Sequence, residues 1–223
     1  AFADAPVDVA VLEVGMGGEW DSTNVADAEV AIVTPVAMDH ERWLGHDLTS
    51  IAEVKAGIVK DGTTLVSAIQ AEGVESVLMT AAASHGSRYV REGVDVEVLD
   101  RRVAVGGQLL ALRGLGGVYT EVFVPLHGEH QAHNALLALV AGEVLLHGGG
   151  ALDAGAVEAA FADADSPGRL ELVRSSPAVL VDAAHNPAGA EALVAAVEEA
   201  FAFKRLVGVV GVLADKDAEG ILA

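Results

Sequence analysis

The run Val9-Ala10-Val11-Leu12-Glu13 followed by Val14-Gly15-Met16-Gly17-Gly18 constrains the fold of this 223-residue chain more than any other stretch. An apolar run that stops on an acid reads as a strand of a parallel sheet, covered on both faces. Glycines at 15, 17 and 18 let the backbone turn sharply and come close to a neighbour or a ligand. In open α/β sheets ligands sit outside the carboxyl ends of the strands, so Glu13 is placed to hold a cation beside a phosphate. The same acid also reads as a cap for the turn that follows, and the junction alone does not separate the two.

The pattern recurs. A second apolar run, Val30 to Val36, exits into Met38-Asp39-His40-Glu41. Neighbouring parallel strands would bring Glu13 and His40 together, and oxygen and nitrogen donors can share a divalent ion, although Mg²⁺ prefers oxygen and retains waters. Thr49 or Ser50 reads as the N-cap of a helix from Ile51 to about Lys60. Lys55 falls on or beside its apolar face of Ile51, Val54, Ile58 and Val59. A buried lysine amine can take up CO₂ as a carbamate, which turns a cation into an anionic metal ligand. The helical pattern by itself favours the plainer reading, in which Lys55 extends to solvent.

Further on, Thr64 to Ile69 reads as a strand and residues 72–84 as a helix. Short alternating runs between 88 and 124, broken by Gly106-Gly107 and by glycines at 114, 116 and 117, read as an antiparallel meander. A long helix begins after Gly128 and stops at Gly148-Gly149-Gly150. Its first turns carry His130, Gln131, His133 and Asn134. The His-x-x-His pair would suit zinc, but no cysteine or further acid spacing supports that. Free N–H groups at a helix start attract anions, and polar capping accounts for the same residues. After a short helix over 153–163 and a candidate linker at 163–168, strand Ala178 to Val181 ends in Asp182-Ala183-Ala184-His185-Asn186-Pro187. Asn186 reads as an N-cap and Pro187 as the first helical residue. A last apolar run, 206–211, leads to Asp215-Lys216-Asp217.

Charge narrows the function classes. With 33 acids against 13 bases, net −20, the chain is not built to hold nucleic acid through its phosphates. An anionic nucleotide would need local cations, which makes Mg²⁺ the expected partner. There is no cysteine, so thiolate metal sites and a cysteine nucleophile are out. No apolar stretch is long enough for a membrane span, and Ala1-Phe2-Ala3-Asp4 does not read as a secretory signal; a cytoplasmic monomer is expected.

Seven ordered motifs together resemble one family. They are Glu13-Val-Gly-Met-Gly-Gly with Asp21-Ser-Thr-Asn-Val, Asp39-His40 with Trp43-Leu-Gly, Ile51-Ala52 with Lys55-Ala-Gly-Ile, Gly128-x-His130-Gln131-x-x-Asn134-Ala135, Pro167-Gly-Arg169-Leu-Glu, Asp182-x-x-His185-Asn-Pro, and Asp215-Lys-Asp. In this order they are similar to folylpolyglutamate synthase/dihydrofolate synthase, a branch of the Mur ligase superfamily. The resemblance implies an α/β architecture: a central ATPase domain over 1–165, mostly parallel sheet with an antiparallel meander, then the start of a Rossmann-like C-terminal domain over 166–223. It implies an ATP-dependent ligase that adds L-glutamate to dihydropteroate or a folate through an acyl phosphate, with Mg²⁺. Carried over residue by residue, Glu13 and His40 would be metal ligands and Lys55 the carbamylated lysine that helps hold a second Mg²⁺. Gln131 and Asn134 would lie at the ATP site, and Arg169, Asp182 and His185 would reach the nucleotide from the C-terminal domain. On this resemblance, Lys55 is no longer read as a solvent-directed lysine.

Two departures stand out. The family carries Arg where Glu19 stands and usually Glu where Val54 stands. No glycine-rich phosphate loop precedes Glu13, so the chain is expected to be a piece of a longer protein, and by itself neither to bind ATP tightly nor to turn over. The rival readings are another Mur-type amino-acid ligase and a non-catalytic nucleotide- or folate-binding relative.

Overall fold

A computed structural model describes Asp4 and residues 7–39, 41–213 and 216–223. The chain divides into two compact units, one through Leu65 plus 70–89, the other 66–69 plus 90 onward.

The first unit contains β1 (Val30–Val33), α1 (Glu41–Leu44), α2 (Leu48–Ala56), the first half of β2 (Thr64–Ser67), α3 (Glu72–Ser84) and the start of β3 (Arg88–Arg91). The strands lie in the order β1-β2-β3, with helices in the connections, the arrangement neighbouring parallel strands require. The middle strand is buried along its length from Leu65 to Ser67, whereas β1 buries only Ala31 and Val33 and turns Ile32 outward. The core packs Ala31, Val33, Ala52, Ala56, Val59, Leu65, Val74, Leu78 and Ala82. Its alanines let α2 and α3 come close to each other without large side chains between them.

Three expectations change here. The run Val9 to Leu12 forms no strand, and Val9, Val11 and Leu12 are exposed by 47%, 90% and 43%. A strand exists only by pairing, and the sheet β1-β2-β3 does not include this run. The second strand stops at Val33 rather than Val36, because the Gln70 side chain takes over: its Oε1 accepts Val36 N–H (3.0 Å) and its Nε2 donates to Thr34 O (3.0 Å). The helix expected from Ile51 begins at Leu48, and its cap is Asp47, whose carboxylate accepts Ser50 N–H (2.9 Å) and Ser50 Oγ–H (2.7 Å). Asp, Ser and Thr all cap well, and sequence does not say which one turns back.

The second unit holds the meander β4 (Glu97–Ala104), β5 (Gly107–Arg113) and β6 (Val118–Val124), antiparallel in that order. The meander thus begins at 97, and 88–91 joins the first sheet as β3. α4 (Glu129–His147) lies on β4 and β5, and α5 (Ala154–Ala162) on β6. α4 buries Ala132, Ala135, Leu136, Leu137, Leu139 and Val140 and leaves Ala138, Leu145 and Leu146 exposed, a one-sided pattern that suits a helix packed on a sheet. Its one buried acid, Glu143, accepts Leu115 N–H (2.7 Å), Gly116 N–H (3.1 Å) and Tyr119 O–H (2.9 Å), which pins the β5–β6 connection.

Beyond the linker, β7 (Glu171–Ser175) and β8 (Ala178–Val181) pair as an antiparallel hairpin. α6 (Pro187–Ala200) and the short α7 (Ala218–Leu222) follow. Leu170, Ala196 and Val197 form a small core with Leu180, Leu193 and Phe201. Residues 206–211 form no strand, correcting that expectation; Val209 is 97% exposed, and the reason is the same want of a pairing partner. No helix among the described residues is long and apolar enough to cross a membrane.

Candidate functional site

The candidate residues fall into two groups, one in each unit. In the first, the glycine turn after Glu13 is folded by the polar residues that follow it. Asp21 Oδ2 accepts the N–H groups of Gly15 and Met16 (both 3.1 Å), and its Oδ1 accepts Thr23 N–H (2.9 Å) and Thr23 Oγ–H (2.7 Å). These donors, Thr23 foremost, hold the Asp21 carboxyl down at about 2. Asn24 Nδ2 donates both to Glu19 O (3.0 Å) and to Gly57 O (3.1 Å), and Lys60 Nζ donates to Asn24 O (2.6 Å).

The turn is thereby seated on the end of α2. Glu19 N–H donates to Val54 O (3.0 Å). A methyl on Gly18 would meet Val54 O at 2.7 Å and Lys55 O at 2.8 Å, and one on Gly57 would meet Glu19 Cα at 2.7 Å. These two glycines are required by close backbone approach. The turn two residues after Glu13 therefore lies against the helical turn that carries Lys55. Glu13 is exposed and Lys55 half-buried. The two departures from the family pattern, Glu19 and Val54, touch through the backbone. His40 lies outside the described residues, as does Asp215 of the last motif. Among the described residues no three His, Asp or Glu side chains gather as a metal cage.

The second group surrounds the start of α4. Gln131 is buried, its N–H donating to Gly128 O (3.1 Å), and its Oε1 accepts Asn134 Nδ2–H (3.1 Å) while Asn134 remains exposed. His133 Nδ1 makes a short hydrogen bond to Oε1 of the buried Glu92. That bond raises the imidazole's pKa against the opposing effect of burial. His130 moves the other way: burial lowers it first, Asp182 raises it, and Arg101 and Arg169 lower it. His130 thus sits within electrostatic range of Asp182, Arg101 and Arg169.

Asp182 also has a structural task. Its Oδ2 accepts Leu170 N–H (2.8 Å) and its Oδ1 accepts Ala184 N–H (2.7 Å), while Ala183 N–H donates to Gly168 O (2.8 Å). It holds Leu170 at φ 47°, a left-handed conformation uncommon for leucine. His185 is exposed and its Nδ1 lies 3.0 Å from Ala183 O; Arg169 is exposed. Asn186 caps α6 through Gly189 N–H (2.8 Å), with Pro187 next, as expected.

Sequence reasoning gave no role to Asp21, Asn24, Glu92 or Glu143. The first two had a signal, since Asp and Asn in a polar loop commonly bond their own backbone. The two buried acids had none, because their partners lie 23 to 41 residues away.

Comparison with known proteins agrees with this layout. The Mur ligase middle domain matches residues 1–142, and the Mur ligase glutamate ligase domain matches residues 168–223. A dihydrofolate synthase/folylpolyglutamate synthase of Mycobacterium tuberculosis is 53% identical across 100% of this chain and 47% of its own length. A folylpolyglutamate synthase of Lacticaseibacillus casei is 35% identical across 97% of this chain and 50% of its own. A solved structure of the Mycobacterium tuberculosis folylpolyglutamate synthase complexed with ADP superposes with a TM-score of 0.96 at 53% identity, covering all of this chain and 50% of that one. The chain spans about half the length of the curated relatives it matches. It belongs to the Mur ligase family, with that family's middle domain followed by its glutamate ligase domain.

Proposed function

We propose that this chain supplies the glutamate-ligase machinery of a folylpolyglutamate synthase/dihydrofolate synthase, with the middle-domain part over 1–165 and the ligase part over 166–223. An oxygen of the acceptor carboxylate, from dihydropteroate or a folate, attacks the γ-phosphorus of ATP and ADP leaves. The amine of L-glutamate then attacks the acyl carbon, the C–O bond to phosphate breaks, and the nitrogen gives up a proton as the amide forms. The observation that carries this reading is the order of the two matches, the Mur ligase middle domain over 1–142 and the glutamate ligase domain over 168–223; the electrostatic influence of Asp182 and Arg169 on His130, beside Gln131, supports it. Relatives add support, among them FPGS solved in complex with AMPPCP and folate, 34% identical with a TM-score of 0.86.

In this reading Gln131, Asn134, Arg169, Asp182 and His185 hold the nucleotide. Glu13 and His40 offer an oxygen and a nitrogen to Mg²⁺, and Lys55 a carbamate oxygen. One carboxylate with substrate phosphates and waters suits Mg²⁺, which rarely uses an all-protein cage. The metal would spread the charge of the transferring phosphoryl group. Support for this comes from the backbone of Gly18 and Glu19, five and six residues after Glu13, which rests on the carbonyls of Val54 and Lys55.

The test is a chimera in which this chain replaces the matching half of the Mycobacterium tuberculosis synthase. Product gaining one glutamyl residue, dependent on ATP and L-glutamate, is expected, and Lys55→Ala should abolish it. Parallel assays with dihydropteroate and with a folate assign the acceptor. A folded chimera inactive toward both acceptors, or one indifferent to Lys55→Ala, would refute the proposal.

A further inference from the structure

We infer that Arg101 is a positioning residue: one guanidinium ties α6 of the ligase domain to the first turn of α4. On one side its Nη1 donates to Glu199 Oε1 (2.7 Å) and its Nη2 to Glu199 Oε2, a two-pronged pairing. On the other, its Nε donates to Gln108 Oε1 (2.6 Å). Gln108 is 1% exposed, and its Nε2 donates to Leu126 O (3.0 Å) and Gly128 O (3.1 Å). Its orientation follows from those partners, since a flipped amide would point a donor at Arg101 and an acceptor at two carbonyls. The Gly128 carbonyl also accepts Gln131 N–H, and Gln131 holds Asn134. An unbroken run of hydrogen bonds thus joins Glu199, Arg101, Gln108, Gly128, Gln131 and Asn134.

Three features mark this as more than a surface ion pair. Arg101 is only 17% exposed at its side chain. Glu199 lies in the last turn of α6, where the helix dipole disfavours an acid, so Arg101 offsets a placement that is unfavourable by itself. The same two segments also meet through His127 and Phe201, edge to face with centroids 5.0 Å apart, and a methyl on Gly128 would reach Ala196 Cβ at 3.0 Å. Asp182 and His185 lead into α6 at its other end. Fixing α6 and α4 through one residue fixes both sets of nucleotide-site candidates relative to each other. The consequence for catalysis rests on the function proposed above; the coupling itself does not.

The test uses Arg101→Lys, Arg101→Ala and Glu199→Gln. Lysine keeps the charge but cannot serve Gln108 and both carboxylate oxygens in one plane. Amide hydrogen exchange on the 223-residue chain should speed up about ten-fold at residues 128–134 and at the last turn of α6 in Arg101→Lys, with β5 and β6 unchanged. Glu199→Gln should affect mainly α6. Should Arg101→Ala fail to fold, the lysine variant decides. Unchanged exchange at 128–134 in folded Arg101→Lys would overturn the inference, as would an increase spread evenly over the unit. In the chimera, Arg101→Lys should raise KM for ATP with kcat held. If no variant turns over, including the unmutated chimera, the ligase reading fails while the exchange result still decides the coupling.

Discussion

Asn24 offers a sharp test of how the glycine turn is held. Its side-chain amide bridges two carbonyls, Glu19 O and Gly57 O, at 3.0 and 3.1 Å. Asn24→Ala removes two neutral hydrogen bonds at a half-buried site, each worth about 1 kcal/mol, so the first unit should lose about 2 kcal/mol. For a chain of this size that corresponds to a melting temperature roughly 4–8 °C lower. Asn24→Asp keeps the shape but turns both contacts into acceptor against acceptor. Lys60, whose Nζ already bonds the Asn24 carbonyl at 2.6 Å, offsets part of that repulsion. The Asp variant should nevertheless be less stable than the Ala variant near neutral pH. It should recover as pH falls, because a protonated carboxyl regains one donor. Thermal unfolding followed by circular dichroism, with amide exchange at residues 15–19 to localise the effect, measures both. An Asp variant as stable as the parent would refute the bridge.

Gly18→Ala should drive a methyl into the backbone carbonyls of Val54 and Lys55 and cost about 1–3 kcal/mol; full stability in the same melt would mean the turn does not sit on α2. Glu143→Gln should destabilise the second unit, since its amide nitrogen would face N–H and O–H donors that now meet a carboxylate. The expected loss is about 2–4 kcal/mol, and a urea midpoint equal to the parent's would contradict it. His133 sets a pH dependence: its folded pKa is raised above 6.5, chiefly by Glu92. Its contribution is therefore fully present below pH 6.5 and is lost as pH rises through the folded value. Stability measured at about pH 5.5 and 8.5 should fall with pH more in the parent than in Glu92→Gln; equal slopes would count against the pairing.

Some of this architecture was legible from residue types. The helix over 72–84 stands where it was read, and the stop at Gly148, the short helix capped by Asp153 and the Asn186-Pro187 start of α6 stand where local capping chemistry puts them. The electrostatic influence of Arg169 and Asp182 on His130 was not, because those residues lie about 40 to 50 positions away in sequence and no local pattern records their proximity. Val9 to Leu12 and residues 206–211 read as strands and are not, since their apolarity is a local property and a ladder is a shared one.

The chain's own order of residues therefore settled the family and several helix ends, the Gly148 stop and the Asn186-Pro187 start among them, which depend on neighbours within a few positions. Tertiary contact alone decided that the glycine turn rests on the helix bearing Lys55, that Asp182 spends its oxygens on backbone N–H groups, and that Arg101 joins two helices. Each of these is a long-range hydrogen bond or a close backbone approach, and its existence depends on a partner that the local sequence does not name.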